Sequence, residues 1–157
     1  MTTIVGDPRR KVIVADSQTS DDDSDTKNLK EEKVYRVPQG WIAGAGNTVS
    51  IQEVVKYFMD GKKGKAPVIK DADDADFMLL TDEGVFVSGK DLHFWQINTP
   101  DALGTGTKAA MAAMSLGHTA EEACWAACQT DLYSGGAVNT YSYDAKTPTT
   151  YVHKDAI

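Results

Sequence analysis

The sequence predicts a four-layer α+β fold of the αββα type, in which two antiparallel sheets stack face to face and helices cover the outside. Three observations predict it. Short apolar runs stand in two groups separated by one amphipathic helix. Two further helices follow the second group, and a last pair of strands closes the chain. A sheet needs its apolar face covered, so strands in this order call for stacked sheets with helices outside.

The elements follow in order. Thr2, Thr3, Ile4 and Val5 are β-branched in a row and favour a strand. Asp7-Pro8 makes a turn, and 11–15 (Lys-Val-Ile-Val-Ala) is a buried strand. Residues 17–31 are polar, with Asp21, Asp22, Asp23 and Asp25 close together, and form a solvated loop. Residues 33–37 and 40–43 pair as strands across Pro38-Gln39-Gly40. A helix follows: Ser50 and Glu53 have capping-box spacing, Ile51, Val54, Val55 and Phe58 make one apolar stripe, and Gly61 is a stop. Residues 62–74 are a loop. Strands are expected at 77–80, 85–87 and 93–97, and helices over 108–116 and from a Thr119/Glu122 cap to about Asp131. Strands at 137–143 and 149–153 complete one expected domain over 1–157.

Composition narrows the function classes. The chain has 157 residues, 41% apolar and 25% charged, with net charge −7. An acidic pI near 4.8 argues against a nucleic-acid partner and against an anionic membrane surface. No apolar run approaches a membrane span, and the charged first twenty residues exclude a signal peptide. Cys124 and Cys128, one helical turn apart, read as buried thiols, and a reducing, cytoplasmic setting is expected. His93, His118 and His153 are scattered and receive no role.

The Met-Thr start directs attention to chemistry. Removal of Met1 places a free α-amine beside the Thr2 hydroxyl. Such an amine has a pKa near 7.7–8.0 and can serve as base for its own hydroxyl. A site of this kind needs a nearby cation, a carboxylate to hold it, and backbone N–H donors for the oxyanion. Lys33, Asp16 and Gly44 can supply these parts, each at or near a strand end.

The sequence pieces Thr2-Thr3-Ile4-Val5, Val14-Ala15-Asp16-Ser17-Gln18, Lys33-Val34-Tyr35-Arg36 and Trp41-Ile42-Ala43-Gly44 resemble a proteasome β subunit, and especially the HslV-type peptidases of the Ntn-hydrolase superfamily. Leu103-Gly104-Thr105-Gly106 resembles the family's Gly-Ser-Gly segment, and Asp131-Leu132-Tyr133-Ser134-Gly135-Gly136 its Asp-x-x-Ser-Gly-Gly. The resemblance implies Thr2 as nucleophile, Lys33 held by Asp16, Gly44 at the oxyanion, and Asp131, Ser134 and Thr105 positioning the amine. It implies a peptide or unfolded-protein substrate, a homo-oligomeric ring and an AAA+ unfoldase. No cofactor is required. A structural sodium ion bound by backbone carbonyls would fall at Cys128, Asp131 and Ser134. The segment after the second strand borders the family's specificity pocket, so the acidic run at 21–25 implies a taste for basic substrate residues.

Departures accompany the likeness. Residues 62–74 leave room for only one long helix where the family has two, so the second is expected to be missing or a stub, which bears on ring packing and unfoldase docking. Thr105 replaces the usual serine, and both carry a hydroxyl. Two other functions compete: an Ntn amidase acting on a small molecule, since fold does not fix substrate, and a non-catalytic ring or shell subunit if Met1 is retained.

Overall fold

Alternation along the strands builds three separate cores. Residues at i and i+2 share a sheet face. In β1 (Thr3–Asp7), Ile4 faces one way and Val5 the other; in β2 (Val12–Ala15), Ile13 opposes Val12 and Val14. Both faces are covered, so these strands read as unbroken apolar runs rather than alternating ones. The structure, a computed structural model, describes residues 2–20 and 27–153. The acidic run at 21–25 lies outside the described residues.

Two five-stranded antiparallel sheets carry the fold. The first has the order β10-β1-β2-β11-β12, with β10 at Asp101–Gly104, β11 at Val138–Ser142 and β12 at Thr149–Tyr151. The second runs β5-β6-β7-β8-β9: Val34–Val37, Gly40–Gly46, Ala75–Thr81, Gly84–Ser88 and Trp95–Gln96. Between the sheets lie Ile4, Ile13, Trp41, Ala43, Met78, Leu80, Val85 and Tyr141. Helices α2 (Thr107–Ser115) and α3 (Ala120–Thr130) cover the first sheet through Val5, Val14, Ala110, Ala123, Cys124 and Ala127. Helix α1 (Thr48–Met59) covers the second through Ile42, Val54, Val55, Phe58, Phe77 and Leu79. The αββα layering is the one expected.

Three details differ from the sequence expectation. The cap of α1 is Asn47, whose Oδ1 accepts the Ser50 N–H at 2.9 Å; Ser50 is a buried first-turn residue, and the Ser50/Glu53 spacing does not mark the helix start. Asp101–Gly104 forms the strand β10 beside β1, where the sequence predicts only a glycine segment at 103–106. The 17–31 loop contains a short ladder, β3 (Thr19–Ser20) against β4 (Lys27–Asn28). The other strands and helices fall within a few residues of the expected places, the 93–97 strand shortened to Trp95–Gln96. Thr119 and Glu122 make a reciprocal capping box, and Gly61, at φ +73, follows the end of α1. No helix lies between α1 and β7, so the second sheet has one covering helix where the first has two.

Among the described residues no helix is long and apolar enough to cross a membrane. Thr119→Ala and Asn47→Ala should each lower stability by about 1 kcal/mol, the usual worth of an N-cap. That is about 2–4 °C in Tm for a domain of this size. Phe77→Ala, emptying a fully buried site under α1, should cost about 3–5 kcal/mol in denaturant unfolding.

Candidate active site

Strand register puts the candidate residues at one end of the two sheets. Ile4 pairs with Ala15, and the next residue, Asp16, donates its N–H to Thr3 O at 3.2 Å. The Asp16 side chain therefore leaves β2 beside the start of β1. Lys33 enters β5 one residue before Val34. On the other edge of β1, Thr3 pairs with Gly104.

Asp16 is buried, and its carboxylate collects donors from four segments. Oδ1 accepts the Thr2 hydroxyl at 2.5 Å, the Thr3 N–H at 3.0 Å and the Lys33 ammonium at 2.8 Å. Oδ2 accepts the Gly135 N–H at 3.0 Å and, more weakly, the Gln18 N–H at 3.4 Å. The Lys33 side chain is only 9% exposed. Burial pushes its pKa down, against the pull of the Asp16 charge and hydrogen bond. An ammonium held this way favours negative charge developing on the neighbouring hydroxyl oxygen.

A second polar chain approaches from the end of α3. Asp131 Oδ2 accepts the Thr105 hydroxyl at 2.5 Å and the Ser134 hydroxyl at 2.6 Å. Ser134 spends its proton there, so Thr3 Oγ1 donates to Ser134 Oγ at 2.7 Å. Burial alone would raise the Asp131 pKa, but the Ser134 and Thr105 hydroxyls and the Tyr133 N–H together hold it below the usual value. The structure thus ties Asp131, Ser134 and Thr105 to the Thr3 side chain, next to Thr2. Gly104 and Gly106 fit the chain closely around Thr2: a Cβ on Gly104, at φ +94, would lie 1.9 Å from Thr2 O, and one on Gly106 would overlap the Thr3 hydroxyl.

Thr2 opens on a cavity of about 470 Å³, also lined by Lys33, Gly44, Gly46 and the first residues of α1. Gly44 has a packing reason to lack a side chain, since a Cβ would come within 2.9 Å of Ile51. Asn47 donates its N–H to Asp74 O at 2.7 Å, which fixes the alternation along β6. The Gly44 and Gly46 N–H groups then point away from β7, toward the β5 side. β5 begins at Val34, opposite Ala43, and stops short of Gly46. The Gly46 N–H is therefore a further oxyanion candidate beside Gly44. Its φ of +122, and the 2.2 Å from a built Cβ to Asp74 O, require glycine there.

Thr3, Gly135, Gln18 and Gly46 were missed by sequence reasoning. Their contributions are backbone N–H groups, or a hydroxyl two partners away, which leave no side-chain signature. Cys124 is buried against Thr3 O, and Cys128 is partly buried; both thiols are free. The Cys124 pKa is pushed up by its hydrogen bond with Cys128 and by burial, so it is a packed thiol and not a nucleophile.

Lys33→Met, which leaves the Asp16 carboxylate buried without its cation, should cost about 3–5 kcal/mol in stability. The double variant with Asp16→Asn should cost less than the two single changes added together. Asp131 has a depressed folded pKa, so its contribution is full above the unfolded value of 3.8 and is lost as pH falls through the lower folded one. Thermal melts from pH 5 to pH 2 should show a shallower acid loss in Asp131→Asn than in the unaltered protein.

No family profile and no curated protein matches this sequence. Solved structures do match. Thiobacillus denitrificans BPH in complex with epoxomicin superposes at TM-score 0.67 and 17% identity, over 89% of this chain and 97% of that one. A second structure of Thiobacillus denitrificans BPH gives 0.67 and 16%, over 90% and 96%. Eukaryotic HslV from Trypanosoma brucei gives 0.64 and 16%, over 88% and 97%. At these identities the likeness shows the fold alone: this chain has the fold of those BPH and HslV structures.

Proposed function

We propose that this protein is an N-terminal threonine peptidase of the proteasome type, with Thr2 as nucleophile once its α-amine is free. One observation carries the reading: the Thr2 hydroxyl and the Lys33 ammonium meet on a single buried oxygen of Asp16, at the mouth of a cavity. An ordinary strand start gives no reason to bury a lysine against a threonine hydroxyl.

In this reading Thr2 Oγ attacks the scissile carbonyl carbon and its proton passes to the Thr2 amine. Lys33 favours the alkoxide and depresses the amine's pKa. The oxyanion takes an N–H from Gly44 or Gly46, with the N-terminal end of α1 behind it. The carbon–nitrogen bond breaks, the leaving amine takes the proton, and an ester remains on Thr2. Water, deprotonated by the same amine, hydrolyses it. Asp16 is the positioning group for Lys33 and for the hydroxyl. Asp131, Ser134 and Thr105 position the first strand through Thr3.

The neighbours' fold supports a ring of like subunits, which would enclose the nucleophile and admit unfolded chains delivered by an AAA+ partner. The single helix on the second sheet leaves that outer face different from a two-helix one, and an unfoldase would dock on that altered face. The expected sodium ion stays part of this proposal: Cys128 lies in the last turn of α3, where the dipole is negative, and Asp131 and Ser134 follow it, the Asp131 carbonyl accepting the Ser134 N–H at 3.2 Å. Among the described residues no cluster of His, Cys, Asp or Glu could hold a metal ion.

Epoxomicin is the partner of one BPH structure, and a peptidyl epoxyketone is the matching probe. Intact mass should first show Met1 removed, then one adduct on Thr2. Thr2→Ala should give no adduct and lose peptide hydrolysis by on the order of 10³-fold or more. Lys33→Ala should lose a comparable factor, while Thr2→Ser should keep measurable turnover. An adduct formed equally in Thr2→Ala, or a retained Met1 with peptide turnover intact, would remove this mechanism.

A further inference from the structure

Two carboxylates organise the proposed site from different parts of the fold. Asp16 stands at the end of β2 and Asp131 at the end of α3. The turn 131–135 serves both: Ser134 links Asp131 to Thr3, and the Gly135 N–H reaches Asp16 Oδ2. Whatever fixes this turn therefore fixes the two systems relative to each other. Its ends are held by main chain. The Asp131 N–H donates to Ala127 O at 2.8 Å, and the Ser17 N–H donates to Gly135 O at 3.0 Å. Its middle gains little from packing, since Leu132 is 67% exposed and Tyr133 38%.

Gln18 holds that middle. It is buried, and its side-chain Nε2 donates to Leu132 O at 2.9 Å. The side chain lies over Gly135, where an added Cβ would overlap Gln18 Oε1. Through its own N–H, Gln18 also reaches Asp16 Oδ2, at 3.4 Å. One residue thus touches both systems, Asp16 by main chain and the Asp131 turn by side chain. Burying an amide is costly unless it is bonded. An apolar residue of similar length would fill the space without holding the turn. The amide is also neutral. Gln18 lines the cavity beside Thr2, together with Glu31, Glu32 and Lys33 ahead of β5 and Asp73 and Asp74 ahead of β7. A glutamate in its place would set one more carboxylate against Asp16.

We propose that Gln18 is a positioning residue for the proposed reaction: its side-chain amide sets the 131–135 turn against the end of β2, so that Gly135 meets Asp16 while Ser134 meets Thr3. The inference rests on Thr2 being the nucleophile. Gln18 acts through these neighbours and not on the reacting atoms. Loss of the amide lets the turn shift, and Asp16 and the Thr3 side chain lose their common reference. A displacement of about 1 Å in a catalytic arrangement can cost on the order of 10²-fold in rate.

Gln18→Met, which keeps the reach of the side chain and removes the amide, provides the test. Peptide hydrolysis is measured while reactive Thr2 is counted by epoxyketone adduct and intact mass. Expressing kcat per reactive Thr2 removes any unfolded fraction from the comparison. kcat should fall at least about tenfold, with KM within about twofold of the unaltered protein. Gln18→Met should add little further loss to Ser134→Ala, because both act through one turn. A raised KM with unchanged kcat would make Gln18 a substrate contact and overturn the assignment. So would an unchanged kcat, losses that multiply fully in the double variant, or a Gln18→Met protein that gives no adduct at all. If the unaltered protein itself gave no adduct, the Thr2 reading would fall first and this inference with it.

Discussion

The Asp16 carboxylate is the constraint on which this end of the molecule depends. Its two oxygens hold the start of β1, the entry to β5 and the turn after α3, through Thr2, Thr3, Lys33 and Gly135. Those segments belong to both sheets and to the connection from the outer helix layer. A buried carboxylate is tolerated only when its charge is compensated and its lone pairs are filled. Here the compensation is Lys33, and the lone pairs are filled mostly by main-chain N–H groups. The arrangement that makes the buried charge tolerable also brings a hydroxyl and an ammonium to one point. Structural stability and proposed chemistry therefore draw on the same contacts.

The layers supply the rigidity this requires. β1 is an interior strand, paired on both edges, with Ile4 in the inter-sheet core and Val5 against α2 and α3. Thr2 sits at its end, so the proposed nucleophile adjoins a strand bonded on both edges. The 104–106 turn closes over it because glycine lets the backbone pass within van der Waals reach of Thr2 O. The Asp131–Ser134–Thr3 chain then fixes the neighbouring side chain from the opposite edge.

What was legible in the sequence follows from how each signal arises. Strands such as 11–15 and 77–80, and the Ile51/Val54/Val55/Phe58 stripe, were readable because burial on two faces or one face dictates residue type directly. Asp101–Gly104 was not, because it has one fully buried apolar residue, Ala102, and is held by pairing with β1. The α1 start was misplaced because Ser50 and Glu53 imitate a capping box, while the true cap, Asn47, lies three residues earlier. Thr2, Asp16 and Lys33 could be named because their contacts are made by side chains. Gly46 and Gly135 act through amides, whose direction depends on register, so only the fold reveals them.

The carboxylate-lined cavity creates a problem that the fold itself answers. A reaction that generates an oxyanion gains nothing from nearby negative charge, since like charges raise the barrier. Two features separate the roles in space. Lys33 stands between Asp16 and the cavity, and while burial pushes its pKa down, the charge and hydrogen bond of Asp16 help keep its ammonium charged. The first turn of α1 presents N–H groups with a partial positive charge of roughly half an elementary unit. Those groups sit at the end of β6, where the Gly46 N–H also points. The carboxylates enter from the segments before β5 and β7, on either side.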